Sequence, residues 1–230
     1  MTASAHPISA AIIVAAGSGN RFGGDKITLP LAGRPVIAWS LTAFEESEAI
    51  ETIVVVVPSG REEVFRNIAR SLGLSKPVTV VVGGATRRES VIRGLASLPP
   101  DVELVAIHDA ARPLVTPDLI RRCLESAVIS GASAAAAPVT ETLHLADQER
   151  NAVRTIDRTG LWAMQTPQVF RAEPLGRLLG NASPGTDEVS AALEAGWKIP
   201  FVENLIPNPK ITWPTDLETA SALLAMRRED

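Results

Sequence analysis

The sequence predicts an α/β protein with a mostly parallel sheet, and three patterns carry that prediction. Short β-branched runs alternate with amphipathic stretches, the runs are apolar on both faces, and the alternation breaks once, after residue 139. Strands covered by helices on both faces read as continuous apolar runs rather than as alternation. "AAIIVAAG", "ETIVVVVP", "VTVVVGG" and "LVAIHDAA" are four such runs. Between and after them, "PVIAWSLTAFEES", "REEVFRNIARSLG", "RESVIRGLASL" and "PDLIRRCLESAVISG" carry apolar residues at helical spacing and end near Gly, Pro or Ser. Right-handed crossovers put such helices on both faces of the sheet and leave ligands to gather at the carboxyl ends of the strands. The expected architecture is a Rossmann-like three-layer sandwich.

After "ASAAAAPV" the rhythm changes. Residues 140–158, in "TETLHLADQERNAVRTIDR", have alternating segments and polar turns without a long helical stretch, which predicts a protruding β-hairpin arm and a candidate dimer contact. The remainder returns to helices ("EPLGRLLGNA", "DEVSAALEAG", "PTDLETASALLAMRRED") and one edge strand, "KIPFVEN". With no internal repeat, linker or low-complexity segment, residues 1–230 read as a single domain carrying an arm.

Composition limits the function. Of 230 residues, 46% are hydrophobic and 21% charged, enough for a large core, and the net charge of −4 argues against a general nucleic-acid or anionic-membrane surface. Any anion site must be local. The single cysteine, Cys123, falls on the apolar stripe of a predicted helix and has no partner for an internal disulfide. "MTASAHPIS" lacks a basic leader region, and no apolar stretch reaches the ~18 residues of a membrane span. The expectation is a cytoplasmic protein.

The loop "GSGNRFGGDKITLP" follows the first strand, and its small residues let backbone N–H groups approach a ligand closely. A dinucleotide fingerprint fails on it: after Gly17 and Gly19 the third glycine position is Phe22, and the next strand ends in "VPSG" without a ribose-binding acid. A Walker loop fails because Gly24 is followed by Asp25, Lys26 and Ile27. What is left is a glycine turn with Arg21 and Lys26 following it, which resembles the loop of sugar-nucleotide nucleotidyltransferases.

"VVGGATRRESVIRGL" offers a second glycine pair at a strand end, then Arg87 and Ser90 at the start of a helix able to receive an anion or a base edge. The alternative reading is a simple helix cap. "AIHDAARPLV" puts Asp109 just past the fourth strand, and a lone carboxylate among small residues suits a Mg2+ ion that keeps most of its waters and borrows ligands from phosphate. His108 has no cysteine, serine or metal-ligand partner at a useful spacing, so it reads as structural.

As an ordered set, "AAGSGNRFGGDK", "GGATRRESV", "HDAARP", "IDRTGLWAMQTPQVF", "TDEVSAALEAG" and "NPKITWPTDL" resemble the 2-C-methyl-D-erythritol 4-phosphate cytidylyltransferase family of non-mevalonate isoprenoid synthesis over nearly the whole chain. The resemblance implies transfer of CMP from CTP to the sugar phosphate, with a divalent cation, Mg2+, as cofactor and a homodimer as the assembly. It implies that Ala15, Ala16, Gly17 and Gly19 line the CTP site, that Gly83, Gly84 and Ser90 face the cytosine with Arg87 and Ala110 beside them, and that Asp109 holds Mg2+. Arg21 and Lys26 would stabilise the transition state, and Arg158 and Lys210 would hold the attacking phosphate. Arg112, Thr142, Thr166 and Thr186 match substrate-binding positions, Thr142 and Arg158 being offered from the arm to the neighbouring subunit.

The chain has only four lysines, Lys26, Lys76, Lys198 and Lys210, and two fall at motif positions, where a compact ammonium suits a moving phosphate. It also departs from the family pattern. The opening loop lacks the usual proline and about two residues before Lys26, which predicts a shorter, looser tether for that lysine. His144 stands where a lysine is common, and Pro209 interrupts the stretch before Lys210. Two alternatives follow: a cytidylyltransferase for another polyol phosphate such as ribitol 5-phosphate, or a nucleotide-binding relative without turnover.

Overall fold

The computed structural model describes residues 7–17, 22–181 and 187–227. The first half runs β1 (Ser9–Val14), β2 (Pro30–Leu31), β3 (Arg34–Pro35), α1 (Val36–Glu46), β4 (Thr52–Val57), α2 (Glu62–Ser71), β5 (Val78–Val82), α3 (Arg87–Leu95) and β6 (Leu104–Asp109). The second half runs α4 (Pro117–Ser130), β7 (Ala132–Pro138), β8 (Leu143–Ala146), β9 (Ala152–Ile156), β10 (Trp162–Arg171), α5 (Ala172–Asn181), α6 (Glu188–Glu194), β11 (Phe201–Glu203) and α7 (Thr215–Met226). The four runs read as strands are β1, β4, β5 and β6, and β11 is the edge strand expected from "KIPFVEN".

Among the described residues seven strands form one sheet in the order β11-β7-β10-β6-β1-β4-β5. β1 is central and parallel to both β4 and β6, so the chain winds outward through β4 and β5 and then returns to the other side of β1. That reversal opens a crevice at the carboxyl ends of β1 and β6. β10 runs antiparallel between β6 and β7. It had no strand signal of its own, because "WAMQTPQVFR" mixes polar and apolar residues and is placed by its neighbours.

Alternate strand residues feed two cores. On one face Ile13, Val55 and Ala106 pack with Ile37, Leu41 and Phe44 of α1, Phe65 of α2 and Leu119 and Cys123 of α4. On the other, Ile12, Val54, Val56 and Ile107 pack with Val91 of α3, Leu175 of α5 and Val189 of α6. A third cluster joins Leu31, Val36, Leu114 and Ile211 to Ala220 and Leu224 of α7. α4 is bounded as its sequence suggests: the Thr116 hydroxyl accepts from the Leu119 N–H at 3.2 Å, Pro117 takes the first turn, and Gly131 closes it with φ 83°. β8 and β9 pair antiparallel as a separate two-stranded hairpin, the arm, with Leu145 and Val153 47% and 60% exposed. No described helix is long and apolar enough to cross a membrane.

Candidate active site

Over the carboxyl ends of β1, β5 and β6 lies a cavity of about 620 Å3, walled by Ala15, Ala16 and Gly17 of the glycine loop, by Gly84 to Arg87 and Ser90 at the start of α3, and by Lys26, Asp109 and Lys210. Residues from four distant stretches of sequence therefore meet at one place. The N-terminus of α3 is held there by a capping box. The Thr86 hydroxyl accepts from the Glu89 N–H at 3.1 Å, and the Glu89 carboxylate reaches back to the Ala85 N–H at 2.8 Å. "TRRE" carries that signal, and the sequence reading used it only as a generic cap. Ser90 is buried; its hydroxyl donates to the Thr86 carbonyl (2.9 Å) and accepts from the Gly84 N–H (3.1 Å), so it shapes the glycine corner. A Cβ on Gly83 would lie 2.5 Å from that of Ala16, and one on Gly84 would lie 2.2 Å from that of Glu89. Both glycines are needed for helix and strand to approach, and of the two only Gly84 lines the cavity.

Asp109 is the electrostatic centre. It is 8% exposed, with Oδ1 3.1 Å from Arg87 Nε and Oδ2 2.6 Å from Lys210 Nζ. Burial opposes its ionisation, but Arg87 and then Lys210 outweigh burial and hold the carboxyl well below the usual carboxylate range. Arg87 Nη1 also meets Glu188 at 2.5 Å, a residue the sequence reading did not single out. Four cations, Lys26, Arg87 and Lys210 at the wall and Arg112 just behind it, stand against the carboxylates of Asp109, Glu188 and Glu89, which leaves a small positive excess suited to a polyanion.

Several expected binding residues stand just behind the wall. Arg112 donates to the Asn208 carbonyl (2.8 Å) and the Met164 carbonyl (3.1 Å), clamping the 208–211 segment that carries Lys210. The Ala110 N–H donates to the Val14 carbonyl at 3.0 Å and ties β6 to β1. His108 is fully buried, and burial pushes its pKa down to about 4. Its Nε2 faces the Arg112 carbonyl at 3.2 Å, which can only accept, so Nε2 carries the proton. Nδ1 then accepts from the Thr166 hydroxyl at 2.9 Å, and Thr166 takes the Asp109 N–H at 3.2 Å. Thr166 and His108 thus hold the backbone of Asp109, in line with the structural reading of the histidine.

Lys26 lines the cavity, its ammonium donating to the Ile211 carbonyl at 2.5 Å. The described part of its tether ends in a turn held by a side chain. Asp25 accepts from the Ile27 N–H (3.0 Å), the Thr28 hydroxyl (2.6 Å) and Arg61 (2.6 Å), which fixes the turn from the side-chain direction. The "DKIT" spacing is an Asx-turn signal in the sequence. On the arm, Arg158 is exposed, donates to the Thr140 carbonyl, and does not reach the cavity of its own chain; Thr142 does not line it either. Gly19, Arg21 and Thr186 lie outside the described residues.

Known proteins share both fold and sequence. A curated 2-C-methyl-D-erythritol 4-phosphate cytidylyltransferase of Parasynechococcus marenigrum is 43% identical over 225 residues, 95% of this chain and 99% of that protein. The solved structure of the Anaerococcus prevotii 4-diphosphocytidyl-2C-methyl-D-erythritol synthase superposes with a TM-score of 0.84 at 26% identity, covering 96% of this chain and 97% of that one. The Thermus thermophilus 2-C-methyl-D-erythritol 4-phosphate cytidylyltransferase gives 0.78 at 31% identity, covering 93% and 98%. The family model described as IspD matches residues 9–226, and with the cavity above it shows that this chain belongs to the 2-C-methyl-D-erythritol 4-phosphate cytidylyltransferase family.

Proposed function

We propose that the chain transfers CMP from CTP to 2-C-methyl-D-erythritol 4-phosphate, releasing pyrophosphate, in isoprenoid precursor synthesis. The observation that carries this reading is the meeting of Lys26, Arg87 and Lys210 around Asp109 beside the glycine loop and the start of α3. The acceptor phosphate oxygen forms a bond to the α-phosphorus of CTP while the bond to pyrophosphate breaks. That oxygen is already ionised at neutral pH, so no general base is required. The protein's work is to hold two anions in line and neutralise their charge. Lys26, with Arg21, stabilises charge on the triphosphate; Lys210 and an Arg158 hold the attacking phosphate; the backbone at 15–17 and 84–85 receives the nucleoside.

Among the described residues no cluster of three or more His, Cys, Asp or Glu could hold a metal alone. A single carboxylate suits Mg2+ held mainly by phosphate oxygens and water, with Asp109 giving one ligand after parting from a cation partner. When bound, the ion would supply charge neutralisation to the triphosphate. Because Thr142 and Arg158 do not line the cavity of their own chain, a homodimer whose arms reach across would complete the acceptor clamp. The single buried thiol fits a cytoplasmic enzyme. The test is pyrophosphate release from CTP with methylerythritol phosphate and ribitol 5-phosphate side by side. Release with the first and little with the second is expected, and release with neither would overturn the reading.

A further inference from the structure

Glu188 opens α6, where an acidic residue ordinarily sits at the surface and complements the helix dipole. Here Asp187 does the capping, accepting from the Ser190 N–H at 2.8 Å, and Glu188 is turned inward beside Val189, Ala191 and Ala192 to 1% exposure. Burying a carboxylate is costly unless it is paired, and an apolar pair would serve the fold at least as well. Its partner is Arg87, whose Nη1 is 2.5 Å from Glu188 while its Nε is 3.1 Å from Asp109. One guanidinium from α3 thus spans a carboxylate on α6 and the carboxylate at the end of β6 that faces the cavity.

We propose that Glu188 is a positioning residue for the nucleotide site: it anchors Arg87, so that Asp109 can exchange the guanidinium for a cation brought by the triphosphate while Arg87 stays on the wall with its charge matched. The inference rests on the CTP reading above. Each oxygen of Asp109 has a cationic partner, and an arriving dication would compete with at least one of them. With Glu188 present, Arg87 keeps a partner after the exchange. Without that charge, the guanidinium would be matched by Asp109 alone and would compete with the metal for it.

The test measures direct CTP binding by the full chain across a Mg2+ titration, with thermal unfolding as the fold control. Glu188→Gln should raise the Mg2+ concentration at half-maximal CTP binding by about tenfold, the low end for partners that orient a metal ligand. Adding Arg87→Met to that variant removes the competitor and should return the midpoint to within a few-fold of wild type. A purely structural role would lower melting temperature and CTP affinity without this reversal. An unmoved midpoint in Glu188→Gln, or a double variant no better than the single, would overturn the inference while wild-type CTP binding upheld the nucleotide reading. Should Glu188→Gln fail to fold, Arg87→Met alone is compared with Arg87→Met/Glu188→Gln: Glu188 acts through Arg87, so equal midpoints are expected, and a further shift of several-fold would overturn the inference. Wild-type binding indifferent to Mg2+ would also refute it, and no CTP binding by wild type would refute the nucleotide reading itself.

Discussion

Lys26 stands at the mouth of the glycine loop with its ammonium on the Ile211 carbonyl, one residue from Lys210. In the proposed reaction this point charge would leave the Ile211 carbonyl for the α-phosphate as negative charge builds. Lys26→Met should therefore lower kcat by about 10²–10³ and change CTP affinity much less, since the contact is made mainly in the transition state. Arginine should be a poor replacement because a planar fork does not fit a point-charge position. Steady-state kinetics with a direct CTP binding measurement decides it; kcat within a few-fold of wild type would move the role elsewhere. Asp109 leads to a second expectation. With no neighbouring acid to complete a site among the described residues, Mg2+ should bind weakly alone and tightly only with CTP, and calorimetry showing tight binding without nucleotide would contradict that. Cys123 gives a control on the core: burial pushes its thiol up to about 12, so alkylation at pH 8 should be negligible in the folded protein and rapid in denaturant.

At the scale of elements, α3 supplies one wall of the cavity, and its seating depends on Gly94. In an exposed helix Gly→Ala would gain about 1 kcal/mol of propensity. Here a Cβ would lie 2.8 Å from Ile12 Cγ2 and 3.1 Å from Val56 Cγ2, against β1 and β4. Overpacking of that kind costs about 1–3 kcal/mol, so the sign reverses and Gly94→Ala should lower the melting temperature. It should also weaken CTP binding, because pushing α3 outward carries Arg87 and Ser90 with it. A variant more stable than wild type would show that the helix can shift without strain. The sequence places this glycine inside the helical stretch "RESVIRGLASL" and gives no sign of its packing. Which strand side chains it touches depends on how the sheet twists beneath the helix.

For the whole molecule, the arm is the feature that a single chain leaves unexplained. Its two strands pair with each other, and Leu145 and Val153 remain exposed while Thr142 and Arg158 do not line the cavity of their own chain. If the arm completes a neighbour's acceptor site, replacing residues 143–156 with a short turn should give a folded monomer that binds CTP and does not turn over. Sedimentation and turnover measured on the same preparation test this, and a monomer with full activity would refute the shared site.

The alternation of β-branched runs with amphipathic stretches determined the α/β class, the four parallel strands and the place of the glycine loop at a strand end, because those depend on local periodicity and on short crossovers. The motif order was enough to mark Lys26, Arg87, Asp109 and Lys210 as candidates. Tertiary structure decided what these groups do to one another. That Asp109 is bridged by Arg87 and Lys210, that Arg112 and Thr166 support the site from behind, and that Glu188 is buried against Arg87 all depend on side chains far apart in sequence. The same holds for β10, whose mixed pattern becomes a central strand only because β6 and β7 supply its hydrogen-bond partners. Periodicity is a property of neighbouring residues. Charge pairing and strand insertion are set by which surfaces the closed fold brings within a few ångströms.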